Sequence, residues 1–333
     1  MLTLLEPAGD SAAWPRALLK VGPATVARHQ LTLALAMECQ RVICLAGGVS
    51  PEIIALQHAV EESGAKFHLL HDTLALSGLI SASDELLVIG DGVLTNFDSA
   101  RSRLDQGYCV FVQPVDVGLS AGFERIDLVH ADAGLMRLPG KLVEALRDLP
   151  PDCAAHSSLL RIALQAGIAR VEIPAEAREG GRWLIVKDEQ QAHVIEADWM
   201  DAQLASVESR GPSDMLARLG VRQFGSALLH AGSNGNALAA GSASFALMAI
   251  GAGWFGLTAG ALVVLALAFV FRRFAGNIIE IERLSLHQPA HRLPRDAMFG
   301  WFHDALMLAL LVWADTANDH GALHERLFAP LIL

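Results

Sequence analysis

Tyrosine occurs once in this chain and cysteine four times, at Cys39, Cys44, Cys109 and Cys153. No two cysteines are spaced C-x-x-C, which excludes the usual zinc and dithiol redox motifs. They read instead as small buried apolar residues in a reducing compartment. Basic residues are scarce: Lys and Arg number 25 against 36 Asp and Glu, for a formal net charge of -11. That balance excludes a general nucleic-acid binder, which needs a basic surface to neutralise phosphates. Charge of either sign is absent altogether between Arg222 and Arg272. The start, "MLTLLEPAGDSAAW", lacks a basic n-region and meets Glu6 early, so it does not read as a signal peptide.

What is present divides in two. Residues 1–222 have the composition of an acidic globular domain; the remainder is apolar enough to lift the whole chain to 53% hydrophobic residues. In the first part, near-continuous apolar runs alternate with helical patterns. "LTLLEPAG", "RVICLAGG", "AKFHLLH", "ELLVIGDG" and "YCVFVQPV" read as strands. "VARHQLTLALAMEC", "SPEIIALQHAVEESG", "PGKLVEALRDLP" and "HSSLLRIALQAG" read as helices. The second of these is signalled by Ser50 at the N-cap, Pro51 at the first position and Gly64 past the end. "RWLIVKDEQQAHVIEADWMDAQLASVES" reads as a strand and a long closing helix. This alternation predicts an α/β fold, a mostly parallel sheet with helices on both faces.

The expected organisation is an α/β domain over 1–210, a linker over 211–232 and a helical transmembrane domain over 233–333. Apolar segments at about 233–252, 254–271 and 297–314, with a partial one at 327–333, suit membrane helices. Frequent Gly, Ala and Ser suit close helix packing, and with it a homodimer through these helices. Arg272, Arg273, Arg283, Arg292 and Arg295 place 272–296 inside, and Asp315, Asp319 and Glu325 place 315–325 outside. The expectation is a multi-pass protein of the cytoplasmic membrane with its N-terminal domain in the cytosol.

Candidate chemistry begins with "LEPAGDSAAWPRALLKVGPATVARHQL" and "DELLVIGDGVL". A strand leads into Ala8-Gly9, then Pro15-Arg16, then Lys20-Val21-Gly22 and a helix. A fourth strand delivers Asp91 in "VIGD". This resembles the nucleotidyltransferases that make sugar-nucleotide and CDP-type donors. The resemblance implies that backbone at Ala8 and Gly9 receives the nucleotide phosphates and that Arg16 and Lys20 offset their charge. It implies that Asp91 holds Mg²⁺, which would bridge phosphate oxygens. The implied ligands are a nucleoside triphosphate and a small phosphorylated alcohol. The loop after Gly9 departs from the pattern: Ser11 stands at the second glycine and the loop arginine is missing. Asp188 in "WLIVKDE" is either a second carboxylate or a turn residue.

The tail is similar to a CDP-alcohol phosphatidyltransferase domain, degenerate and truncated. Gly300 and Asp304 in "GWFHDALML" keep G-x-x-x-D, and Arg283 ends "AGNIIEIER". The other three carboxylate positions fall on Ala275, Ile278 and Leu308, and the glycine position on Ile279. Arg283, Gly300 and Asp304 are therefore the candidate polar site, with Arg283 or His303 the expected partner of Asp304. His287 and His291 straddle Pro289, and His68 and His71 share a strand end; neither pair reads as a metal site. Two functions stay open: a membrane-anchored nucleotidyltransferase serving polar-lipid or phosphodiester synthesis, or a catalytically inactive scaffold or nucleotide-binding regulatory subunit.

Overall fold

The computed structural model describes residues 1–9, 11–150, 153–178, 183–206, 235–285 and 295–317. The chain divides into two compact units, Met1–Asp198 and Trp199–Leu333. The expected linker and the expected helix at 327–333 lie outside the described residues or only touch them, as do His287 and His291.

Seven strands form the sheet of the first unit: β1 (Leu2–Leu4), β2 (Arg41–Ala46), β3 (Lys66–Leu70), β4 (Glu85–Ile89), β5 (Cys109–Pro114), β6 (His130–Pro139) and β7 (Arg170–Glu172). Their order is β7-β5-β6-β4-β1-β2-β3. Every neighbouring pair is parallel except those made by β6, which runs against both β4 and β5. The chain thus lays β1, β2 and β3 outward in one direction, then returns to place β4 on the other side of β1.

Side chains alternate between the two faces, as a period of two requires. Leu2, Leu4, Cys44, Ala46, Leu87 and Ile89 join one core cluster with helices α1 (Val26–Ala36), α2 (Pro51–Glu62) and α3 (Phe97–Leu104). Ile43, Leu45, Leu86 and Val88 join another with helix α4 (Ala155–Gln165). Helices therefore cover both faces, and the α/β expectation holds. Helix starts follow the capping residues: the hydroxyls of Thr25 and Ser50 accept from the backbone N–H of Arg28 and Ile53.

"PGKLVEALRDLP" forms the expected helix, of 3-10 type, over Gly140–Asp148. One strand was not foreseen and one loop expectation is corrected. The ten-residue β6 carries Ala, Asp and Gly, poor strand formers, and burial at the sheet centre overrides that propensity. The segment after Gly9 is not a loop, since Ser11–Pro15 pairs antiparallel with Pro7–Ala8.

In the second unit, helices span Gly235–Trp254 (α5), Thr258–Ser285 (α6) and Arg295–Ala317 (α7). The second apolar segment was expected to stop at Arg272-Arg273, but α6 runs through both. Arginine is a good helix former; what it limits is burial in lipid, not helix continuation. Among the described residues one helix, Thr258–Glu280, is long and apolar enough to cross a membrane, where three were expected; Ala240–Trp254 and Phe299–Val312 are shorter apolar helices.

Candidate functional site at the carboxyl edge of the sheet

In an open α/β sheet, ligands bind beyond the carboxyl ends of the strands where strand order reverses. Here the reversal falls between β1 and β4. Their ends carry Leu5-Glu6 and Gly90-Asp91-Gly92.

Asp91 lies in that crevice, buried to 6% exposure. Its Oδ2 accepts from the backbone N–H groups of Leu5 and Glu6, at 2.7 and 2.6 Å. Its Oδ1 is buried without a hydrogen bond and faces Arg16, whose Nε is 3.7 Å away. Burial raises the carboxyl to about 6, opposed by the Glu6 N–H, the Arg16 charge and the Leu5 N–H. Asp91 therefore fastens the start of the 5–9 segment to the end of β4, with Arg16 as its counter-ion. Gly92 has φ +67°, and a Cβ there would lie 2.8 Å from Cγ of Arg16, so a glycine is needed for the arginine to pass. Gln30 of α1 braces the same turn, donating to the carbonyls of Gly90 and Val93 at 2.9 and 2.8 Å.

The other expected site residues are placed as follows. Gly9 has φ +57°, and its N–H donates to the Lys187 carbonyl at 2.9 Å rather than pointing to a phosphate cradle. Ala8 packs against the cluster of Leu19, Val21, Val26 and Val186. Lys20 is exposed in the hairpin Lys20–Val21/Ala24–Thr25. Asp188 accepts from the Gln191 N–H at 2.7 Å, which makes it the cap of the helix Glu189–Ser206. The segment paired beside Gly92 and Val93 is aliphatic: Ile185 pairs with Val93, and the Val186 N–H donates to the Gly92 carbonyl.

These placements test the implied Mg²⁺. Among the described residues no group of three or more His, Cys, Asp or Glu could hold a metal ion. One oxygen of Asp91 is taken by two N–H groups, the other faces a guanidinium, and the neighbouring strand supplies no oxygen ligand. Magnesium is commonly held by one or two carboxylates together with substrate phosphates. Asp91 Oδ1 has no hydrogen bond but faces Arg16, so Asp91 by itself does not make a metal site while that contact stands.

A second polar cluster was not legible in the sequence. Asp132 on β6 and His156 on α4 meet at 2.7 Å, Nε2 to Oδ2. Gln113 on β5 donates to the Asp132 carbonyl at 2.9 Å. Asp132 Oδ1, His156 Nδ1 and Gln113 Oε1 are buried without hydrogen bonds. Burial disfavours the charged imidazole, but the Asp132 and Glu124 carboxylates outweigh it against the opposing Arg16 charge, and the His156 value is raised. A group whose folded value exceeds its unfolded one stabilises fully below the unfolded value and loses that contribution as pH rises through the folded one. The stability advantage of the native protein over an Asp132→Asn/His156→Gln variant is accordingly expected to be largest below about pH 6.5. It should shrink as pH rises further, and urea midpoints across that range check it.

A pocket of about 350 Å³ opens at the opposite edge of the sheet, lined by Met1, Cys39, Arg41, Glu85 and Arg137 among others. Four of its charges form two pairs, Arg41 with Asp84 and Arg137 with Glu85. The charge-bearing residues at the strand reversal are elsewhere.

In the second unit the expected polar residues are placed as follows. Arg283 pairs with Glu280 one turn earlier, Nε to Oε2 at 2.8 Å. Asp304 is exposed, and Gly300 has open space where a side chain would be.

No protein family and no curated protein matches this chain. Solved structures do. A glucose-1-phosphate thymidylyltransferase from Bacillus anthracis aligns with a TM-score of 0.44 and 15% identity, over 59% of this chain and 89% of that one. A UDP-glucose pyrophosphorylase from Acinetobacter baumannii aligns with a TM-score of 0.44 and 12% identity, over 62% of this chain and 93% of that one; its UTP-bound form aligns equally.

Proposed function

We propose that the first unit binds a nucleotide, either a nucleoside triphosphate or the NDP-alcohol derived from it, and that the helical unit holds it at a membrane. On this reading the chain is a nucleotidyltransferase-like binding protein, the regulatory or scaffold member of the two functions the sequence leaves open. The observation that carries it is Arg16 at the reversal of strand order. Its side chain is 22% exposed, and the contact to Asp91 is long at 3.7 Å. An arginine so placed can turn its fork to a phosphate, while Asp91 stays tied to backbone. Metal-assisted transfer has less support, because one oxygen of the carboxylate that would hold the ion is taken by the Leu5 and Glu6 N–H groups. The exposed Leu247, Met248, Trp254, Phe255, Val263 and Trp301 of the helical unit support the membrane side of the reading.

The test is titration of the detergent-solubilised protein with CTP, UTP and dTTP, with and without Mg²⁺. Saturable binding that needs no Mg²⁺ and weakens at least tenfold in Arg16→Met is the expected result, equivalent to about 1.4 kcal/mol or more. Failure of every nucleotide to bind would overturn the reading. Pyrophosphate release with a sugar or polyol phosphate present would restore the transferase alternative.

A further inference from the structure

The helical unit carries a polar layer at an unexpected depth. Arg272 lies over the Phe299 ring at 5.2 Å and Arg273 over the Phe269 ring at 5.3 Å. Phe269 in turn stacks on His303 at 4.6 Å, so the arginines of α6 and the start of α7 share one level. Phe245 meets Phe271 at 5.2 Å, which sets that level against the middle of α5, not its end. The other limit is the turn between α5 and α6, where Trp254 and Phe255 are 70% and 81% exposed. Leu310 of α7 packs near this end with Ala249, Ala261 and Leu265.

The height of the apolar band follows from helix rise. At about 1.5 Å per residue, Thr258 to Phe271 rises about 21 Å, and both Phe245 to Trp254 and Ala305 to Ala314 rise about 15 Å. A bilayer core is about 30 Å thick. The band therefore falls short by a third to a half. A short apolar band is accommodated by thinning the bilayer and by flanking basic side chains snorkelling to the headgroups. At that level two successive residues of α6 hold guanidiniums over aromatic faces, and a guanidinium's planar fork matches phosphate oxygens. Asp304, exposed beside His303, reduces the positive charge of the layer without cancelling it.

We infer that Arg272 and Arg273 form a lipid-phosphate site, through which the helical unit seats in a locally thinned bilayer by gripping anionic phospholipid headgroups. This rests on the membrane part of the proposed function and adds its lipid class and its depth.

The experiment uses the full chain mixed with vesicles of phosphatidylcholine, alone or with phosphatidylglycerol, bearing acyl chains of roughly 14, 18 or 22 carbons. Flotation and thermal stability are the readouts. The native protein is expected to float best and melt highest in the shortest chains, with a further gain from phosphatidylglycerol. An Arg272→Leu/Arg273→Leu variant extends the uncharged stretch of α6 to Ile279. Its optimum is expected to move to about 18 carbons, with loss of the phosphatidylglycerol gain. An Arg272→Gln/Arg273→Gln variant, checked for unchanged helix content, is expected to lose that gain as well. Flotation with the same optimum and the same lipid preference in all three proteins would overturn the lipid-phosphate site alone. Absence of flotation in every vesicle would overturn the membrane reading as well.

Discussion

Asp91→Ala is expected to destabilise the first unit by about 2–4 kcal/mol, while Asp91→Asn leaves it at least as stable as the native protein at pH 7. The alanine leaves two backbone N–H groups, those of Leu5 and Glu6, without the acceptor they now share. Each hydrogen bond to a charged group contributes about 1.5–3 kcal/mol, and water reaching the exposed Leu5 and Glu6 offsets part of the loss. For a unit of this size the melting temperature should fall by roughly 5–15 °C. The asparagine keeps an oxygen for the same N–H groups and removes a buried charge. That charge has a pH signature. The folded carboxyl titrates at about 6 against an ordinary 3.8, so the folded state binds more protons between those values and stability falls as pH rises through them. The full effect is about 3 kcal/mol, and it should be absent from Asp91→Asn. Calorimetric melting from pH 4 to 7 checks both variants. A metal-holding carboxylate behaves differently: its removal leaves the apo protein as stable or more so, and Mg²⁺ shifts the melting of the native protein but not of the variant. That pattern would overturn the fastening role.

The contrast shows what sequence can carry here. "VIGD" announces a buried strand ending in a carboxylate, and the strand and its end are where the pattern puts them. What the pattern omits is the other side of the contact. The partners of Asp91 are backbone N–H groups of residues 5 and 6, which any sequence supplies, and an arginine brought back by a hairpin whose strands are only two and five residues long. Asp132 and His156 were invisible for a related reason. They are 24 residues apart on elements of different type, and β6 reads poorly as a strand because Ala131, Ala133 and Gly134 lack β propensity. In the helical unit, composition marked the apolar segments well, but counting charges could not show that Arg272 and Arg273 lie level with the middle of α5.

Gly134→Ala is expected to lower stability by about 3–5 kcal/mol and to abolish nucleotide binding with it. Gly134 lies inside β6 with φ +74°, a backbone conformation that costs an alanine about 1–2 kcal/mol. A Cβ there would sit 2.5 Å from Cγ2 of Val93 and 3.0 Å from Cε1 of Phe123, both buried. Overpacking of that kind costs a further 1–3 kcal/mol or so. The position matters because β6 bulges here: Val110 pairs with Met136 but Val112 pairs with Asp132, so two steps on β5 face four on β6. The bulge turns Asp132 toward His156, and the Gly134 carbonyl accepts the Gly90 N–H at 2.7 Å, next to Asp91. One glycine thus ties both polar clusters to the sheet. The clash and the backbone cost separate in a second variant. Val93→Ala introduced beside Gly134→Ala removes the 2.5 Å contact, so the pair should be more stable than the sum of the single effects by roughly 1–2 kcal/mol, leaving the left-handed backbone cost. Additive losses in urea denaturation would show that Val93 is not what the new methyl meets. Arg16→Met is the companion measurement: it should weaken binding at least tenfold with a smaller loss of melting, confined to pH values at which Asp91 is ionised, whereas the loss in Gly134→Ala is present at every pH.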